Sequence, residues 1–541
     1  MNPIEPMNFL SSPPPSVRGT TRARPVSRTV SPLHHYFGLG LFLAGFLVSG
    51  FTATPAQTRL SILTWENSKE TPVPCRIHLR NEAGQPIKPA SFPSWNDHFV
   101  FPGKATLELP AGRYSYELER GPEYRRLVGD IALVSENTTD LVLHMERITD
   151  LKSEGWWSGD LHIHRPPEDI PLLAKAEDLQ VAPVITWWNQ NNRWKNHPLP
   201  EPTIIAFGQN RSSDLMAGED EREGGALLFF HLPKPLPIQN AGREYPSPTE
   251  FLKEAHRAHP DMHVDIEKPF WWDVPVWLAT GLPDTIGLAN NHMYRRQMLE
   301  NEAWGKPRDT TRFPAPRGNG FWTQEIYYHI LNSGLRIPPS AGSASGVLPN
   351  PVGYNRVYVH IDGDFTEARW WQALRTGRSF VSNGPLLRAR ANGAFPGEQF
   401  HLTRGETLDL ELTARFDTQD ETSAFEIIQN GRVVRTVPMT EWRRTGTLGS
   451  VSFQTSGWFL VRAIGDRTDT FRFASTAPWY VRAEDTPERI SRASVRFFLD
   501  WVQERMDRIR LDNPEQQRSV MSHQLRAKAF WEDRLSRANA P

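Results

Sequence analysis

The chain has 541 residues, too many for one hydrophobic core, which predicts about two to four domains. Its 61 basic and 62 acidic residues are spread along the chain and leave a net charge of −1, which excludes the basic footprint of a nucleic-acid-binding protein. Cys75 is the only cysteine, so intramolecular disulfides and cysteine-based zinc sites are excluded and any metal must be held by His, Asp and Glu.

Residues 1–36 are rich in Pro, Ser, Thr and Arg and predict a disordered basic N-region. Residues 37–51 are uncharged and apolar, preceded by Arg18, Arg22, Arg24 and Arg28 and followed by small residues up to Ala56. That layout predicts a signal peptide or uncleaved anchor over 37–56, and export to the periplasm, cell surface or medium. Fifteen residues fall short of the ~20 that a membrane helix needs. Over 57–150, β-prone runs such as Cys75–Arg80, Ala105–Leu109 and Tyr114–Leu118 alternate with turn signals and predict a β-sandwich. Within it Leu109-Pro110-Ala111-Gly112-Arg113-Tyr114 resembles carboxypeptidase-regulatory-like modules, which implies an accessory fold without chemistry, and Cys75 reads as a buried strand residue.

From 151 to 390 strands alternate with helices, the pattern of a βα barrel. The expected barrel strands are 157–164, 181–188, 226–232, 261–268, 284–290 and 355–361, with helices over Pro171–Leu179 and Thr323–Asn332. β texture returns over 391–484, with an Asn430-Gly431 turn, and predicts a second sandwich. Residues 485–541 predict two helices, the first capped at Asp485-Thr486-Pro487-Glu488, with Ile490, Phe498, Trp501, Val502, Met506 and Ile509 along one apolar face. These helices are expected to pack on the protein's own surface or on a partner.

Gly155-Trp156-Trp157-Ser158-Gly159-Asp160-Leu161-His162-Ile163-His164 carries the strongest chemical signal. In an extended strand residues i and i+2 share a face, so Asp160, His162 and His164 project together. The run is either the start of a metal site or a pair of histidines packed at a strand end. His231 closes the apolar run Leu227–Phe230, either as a ligand or as a histidine hydrogen-bonded at a strand end. Asp265 and Glu267 share one strand face with His263, and Lys268 takes the other. Trp187, Trp188, Trp194, Trp271, Trp272 and Trp277 fall near expected strand ends, as core packing or as a stacking surface for sugars.

Gly159-Asp160-Leu161-His162-Ile163-His164, Gly218–Arg222, Asn290-Asn291-His292, Pro339–Gly346, Gly353–Tyr358 and Ser382-Asn383-Gly384-Pro385 occur in an order that resembles the CehA/McbA-like branch of the PHP superfamily. The resemblance covers roughly 150–390. It implies a PHP-like distorted (β/α)7 barrel, with metals at the C-terminal ends of its strands, between two β-sandwich domains and a helical C-terminal segment. The chain is therefore expected to be a multidomain α/β plus β protein. His162 and His164 match the family's first block, and Glu219 matches its glutamate, with Glu221 serving if the register slips by two. Where the family has Asp-His, this chain has Trp187-Trp188, leaving Asn189 as the polar neighbour. The His-Pro block reads Lys268-Pro269, and Asp-x-His reads Ala344-Ser345-Gly346. A multinuclear site cannot be supplied from these positions. A mononuclear one from His162, His164, Glu219, His231 and His292 can, holding Zn, Mn or Fe with an open position.

The expected activity is hydrolysis of an ester, amide or phosphoester bond, with Glu219 or Asp160 as base and Lys268 or Arg356 neutralising developing charge. The competing expectation is a degenerate barrel without metal that binds a glycan or polymer, or serves surface assembly. The partners implied are a small-molecule or glycan substrate, no nucleic acid, and a membrane only through an N-terminal anchor.

Overall fold

Three β-rich layers and a pair of C-terminal helices make up a multidomain mixed α/β protein. The computed structural model describes residues 57–66, 71–135, 137–484 and 488–541; the expected disordered region and signal peptide lie outside them. Among the described residues no helix is long and apolar enough to cross a membrane.

The first layer is a sandwich. A sheet of Lys104–Pro110, Gln57–Glu66 and Thr138–Met145 faces one of Ser94–Trp95, His98–Phe101, Cys75–Asn81, Gly112–Glu119 and Leu127–Leu133. Period-2 alternation directs Leu60, Ile62, Ile77, Leu79, Phe99 and Leu118 inward, each fully buried or nearly so. Each such side chain contributes about 1.5–3 kcal/mol by leaving water. Cys75 belongs to this core, and burial pushes its thiol up to about 12.

The second layer is a hydrogen-bonded ring of seven extended segments. Residues 158–163 bond to 180–186 through Asp160 N to Val181 O and Ile185 N to Ile163 O. Residues 180–186 bond in turn to 212–217, through Ala182 N to Ser212 O and Thr186 N to Ala217 O. Gly218–Arg222 continues that segment and pairs with Gly225–Phe230, followed by His263–Ile266, Thr285–Ala289 and Pro339–Ala341. Leu161 N donating to Ala341 O closes the ring. Gly225–Phe230 runs antiparallel to both neighbours, so its C-terminal end points away from those of the flanking strands.

Two expectations are corrected here. Arg356–His360 is antiparallel to Trp156–Gly159 and Ser379–Ser382, and belongs to a nine-stranded sheet that runs on into the second sandwich. It is therefore no parallel ring strand. The first C-terminal helix starts at Arg492, with Ser491 Oγ accepting from Ser494 N, rather than at Asp485–Glu488, of which residues 485–487 lie outside the described residues.

In the second sandwich Leu386–Ala391, Leu408–Asp417 and Thr447–Phe453 pack on the nine-stranded sheet around Leu387, Leu410, Phe425, Ile427 and Trp479. The helices Arg492–Arg508 and Pro514–Ser536 cover Val274–Thr280. Trp531 Nε1 donates to Pro275 O at 3.0 Å, and Arg505 pairs with Asp273 at 2.8 Å.

Candidate metal centre

The ring brings three of the expected ligands together. His162 and His164 end the first segment, and Glu219 stands on Gly218–Arg222, which pairs with Trp187–Trp188. Two close approaches fix this geometry. A β-carbon at Gly218 would lie 1.7 Å from the Trp187 ring, and one at Gly342 would lie 2.5 Å from His162 Cβ. Only glycine lets these backbones approach.

His162 Nε2 and His164 Nε2 lie 2.9 Å apart, and Glu219 Oε2 is 3.4 Å from the first and 3.2 Å from the second. All three side chains are at least nine-tenths buried. Among the described residues Glu219 Oε2 accepts no hydrogen bond of good geometry. Zinc at ~2.0–2.1 Å from tetrahedral ligands separates them by about 3.3 Å, close to each edge of this triangle. Two imidazoles and a carboxylate also suit Mn and Fe. The donor set fits one divalent ion.

A second ring of contacts holds His162. Its Nδ1 lies 3.3 Å from Glu267 Oε1, which receives the Asn291 side-chain N–H at 2.7 Å, while Glu267 Oε2 receives the Trp271 indole N–H at 2.7 Å. Lys268 Nζ is 2.5 Å from Glu267 Oε1 and 4.5 Å from the Trp271 ring centroid. A carboxylate behind a ligating imidazole fixes its tautomer and orientation. Burial alone would discharge His162, but Glu219 and Glu267 outweigh it and push the imidazole up to about 10. His164 is pulled below its ordinary value, by burial first and then by charged His162. Glu219 is driven well down, burial notwithstanding, by His162 and His164. Without an ion, His162 is therefore the protonated member of the three.

At the rim, Glu221 lies two residues beyond Glu219 on the same strand face and accepts from the Trp188 indole at 3.2 Å. The Trp188 ring packs 4.9 Å from His164. Glu221 and Trp188 are half-buried, as is Asn189, whose side-chain oxygen accepts from Glu221 N at 2.9 Å.

The remaining expected residues fall elsewhere or do something else. His231 lies at the opposite end of the ring, because Gly225–Phe230 runs against its neighbours; it pairs with Glu367 at 2.8 Å beside Trp371. His292 follows Thr285–Ala289 at the same end as Glu267, but stands outside the three-atom cluster. It contacts Asn301 O at 3.0 Å and is pulled down to about 3, by burial first and then by Lys268. Asp160 is fully buried and cannot serve as a base at the centre. Its carboxylate accepts from the backbone N–H of His162 (3.1 Å), Ser343 (3.0 Å) and Gly353 (2.7 Å), tying the histidine strand to two loops. Arg356 is committed to Gly353 O at 2.6 Å and Glu177 O at 3.2 Å, so it neutralises nothing at the centre. Lys268 acts on Glu267 rather than on a substrate. Trp187, Trp271, Trp272 and Trp277 are core, and Trp188 and Trp194 are half-buried.

Sequence reasoning placed Glu267 on a strand face and Trp271 in core packing or stacking, but gave neither of them, nor Asn291, a part in holding His162. The available signal was an acid directly beyond the strand His263–Ile266, at the end that bears Glu219. A second group in the first sandwich, His78, Asp97 and His98, is a hydrogen-bonded ion network. Arg76 Nη1 lies 2.7 Å from His78 Nε2 and can only donate, which leaves the His78 proton on Nδ1, 3.0 Å from Asp97. Arg80 supplies the cation on Asp97, at 2.6 Å.

No family model matches the chain, and no curated protein matches it. Among solved structures it is similar to the minor pilin GBS52 of Streptococcus agalactiae, at 14% identity and TM-score 0.16 over 18% of this chain and 47% of that one. It is also similar to fibronectin(III)-like modules of CbhA from Clostridium thermocellum, at 15% identity and TM-score 0.14 over 26% and 69%. A third similarity is to the Bacillus anthracis TIE protein, at 11% identity and TM-score 0.14 over 79% and 50%. The chain thus spans about half the length of the pilin, at 47%. Likenesses this weak carry no argument about the centre.

Proposed function

We propose that the chain is an exported PHP-like hydrolase of an ester, amide or phosphoester bond, built on a distorted (β/α)7 barrel with a single metal. The triangle of His162 Nε2, His164 Nε2 and Glu219 Oε2, with edges of 2.9–3.4 Å, carries this reading. These residues would hold the ion, which when bound supplies Lewis-acid activation of water and of the scissile group. The chain's own residues supply the rest. Glu267 orients His162 through Nδ1, and Lys268, Trp271 and Asn291 hold Glu267 in place. Glu221 stands at the rim, where a carboxyl group can pass a proton to or from a reacting group. Trp188 and Trp194 present partly open aromatic faces on which a sugar ring or aromatic group can stack.

One observation favours a second reading, a binding or assembly protein with a degenerate barrel. Protonated His162 and Lys268 balance Glu219 and Glu267, so the cluster is electrically complete without an ion. Turnover separates the two. The purified chain is stripped with chelator, reloaded with Zn, Mn or Fe, and assayed on ester, amide and phosphoester substrates. Metal-restored hydrolysis that is absent from His164→Ala supports catalysis. Absence of hydrolysis under every metal supports the second reading.

A further inference from the structure

Where the first sandwich, the ring and the second sandwich meet, a groove of about 560 Å³ opens to solvent. Ligand sites commonly span ~300–1,000 Å³. Five arginines line it: Arg126 from the first sandwich, Arg295 and Arg296 from the loop after His292, and Arg467 and Arg472 from the second sandwich. Among the described residues only Glu117 and Asp469 line it with opposite charge. An adjoining cavity of about 60 Å³ shares Arg126, Arg295 and Arg472, and adds Arg76 and Arg356 against Glu119, Glu177 and Asp420. Together the two hold seven guanidinium groups and five carboxylates, two positive charges in excess, in a chain whose overall net charge is −1.

The pairing inside the groove leaves donors over. Glu117 faces Arg126 at 3.3 Å, Arg296 at 2.7 Å and Arg295 in closest contact, while Glu119 faces Arg295 at 2.9 Å, Arg126 at 4.0 Å and Arg76. Two carboxylates thus stand against four guanidinium groups, Arg76, Arg126, Arg295 and Arg296. Arg472 is more than nine-tenths buried, paired with Asp420 at 3.5 Å and donating to Asn383 O, so it brings a fixed positive charge to the groove wall. Planar guanidinium groups match the paired oxygens of phosphate, sulfate and carboxylate.

We propose that this groove binds an oligoanion, a molecule with two or more phosphate, sulfate or carboxylate groups. The assignment does not depend on a metal at His162, His164 and Glu219.

Isothermal titration of the full chain with tripolyphosphate, sucrose octasulfate and trigalacturonate tests it and distinguishes the three sources. Arg296 and Arg467 have side chains 59% and 33% exposed, so Arg296→Gln and Arg467→Gln preserve the fold, as an unchanged melting curve would verify. Saturable one-to-one binding of at least one probe is expected, weakened about tenfold by each substitution and unaffected by Arg415→Gln outside the groove. The best-bound probe names the anion. Absence of saturation by all three at millimolar concentration would overturn the proposal, and so would binding that the Arg296→Gln/Arg467→Gln double variant leaves unchanged.

Discussion

Replacing Lys268 with Met tests whether the cluster is held by charge. The Lys268 ammonium is about 4% exposed and lies 2.5 Å from Glu267 Oε1, on a carboxylate whose side chain is only 2% exposed. Met keeps the volume and the contact with Trp271 but removes the charge, leaving Glu267 buried with His162, Trp271 and Asn291 as its remaining partners. Breaking a buried pair from one side costs about 3–5 kcal/mol. The donors from Trp271 and Asn291 survive, so the lower end, about 3 kcal/mol, is expected. Adding Glu267→Gln removes the orphaned charge while a side-chain oxygen still accepts, so the double variant should recover about 2 kcal/mol of that loss. Urea unfolding of metal-free protein at pH 7.5, followed by tryptophan fluorescence, reads both values from midpoint and slope. A loss below about 1 kcal/mol for Lys268→Met, or strictly additive losses in the double variant, would refute the charge argument.

Elemental analysis should find one tightly bound divalent metal per chain, lost from His162→Ala together with activity; two or more would mean that further ligands act. In Lys268→Met the metal should stay while turnover falls. His231→Ala should leave metal content unchanged and cost only about 1 kcal/mol, because it breaks a half-buried pair with Glu367 at the far end of the ring. Asp265 gives a pH test: burial pushes its carboxyl from 3.8 up to about 7, against hydrogen bonds from Thr285 and Ser340. Its contribution to stability is complete below about pH 4 and is lost as pH rises through about 7, a change of about 4 kcal/mol for a shift of roughly three units. Asp265→Asn should therefore gain stability on the wild type between pH 4 and pH 8, and parallel stability profiles would contradict this.

The sequence carried the centre where the chemistry is local. His162 and His164 are two residues apart on an extended segment, and strand alternation alone puts them on one face. The glutamate at 219 came from the order of blocks rather than from any strand signal. Gly218-Glu219-Asp220-Glu221-Arg222 has no apolar alternation, because its pairing is fixed by the neighbours Trp187–Trp188 and Gly225–Phe230. His231 misled for a related reason. An apolar strand looks the same in either direction, and only the tight return through Glu223-Gly224 makes this one antiparallel. Arg356 sits in a strand as apolar as a ring strand, yet that strand joins the second sandwich. Sheet membership is a non-local property that periodicity cannot carry. Glu267 was overlooked beside Lys268 because spacing shows which face a residue takes, not that a lysine from the next position folds back onto it.

The most direct test of the central claim is the position of a metal in a crystal of the zinc-loaded protein, read from anomalous diffraction at the zinc edge. One peak is predicted, about 2 Å from His162 Nε2, His164 Nε2 and Glu219 Oε2, and absent from crystals of His162→Ala. A crystal soaked in zinc that shows no peak among these three atoms, with His162 still bridging Glu219 and Glu267, would contradict the account.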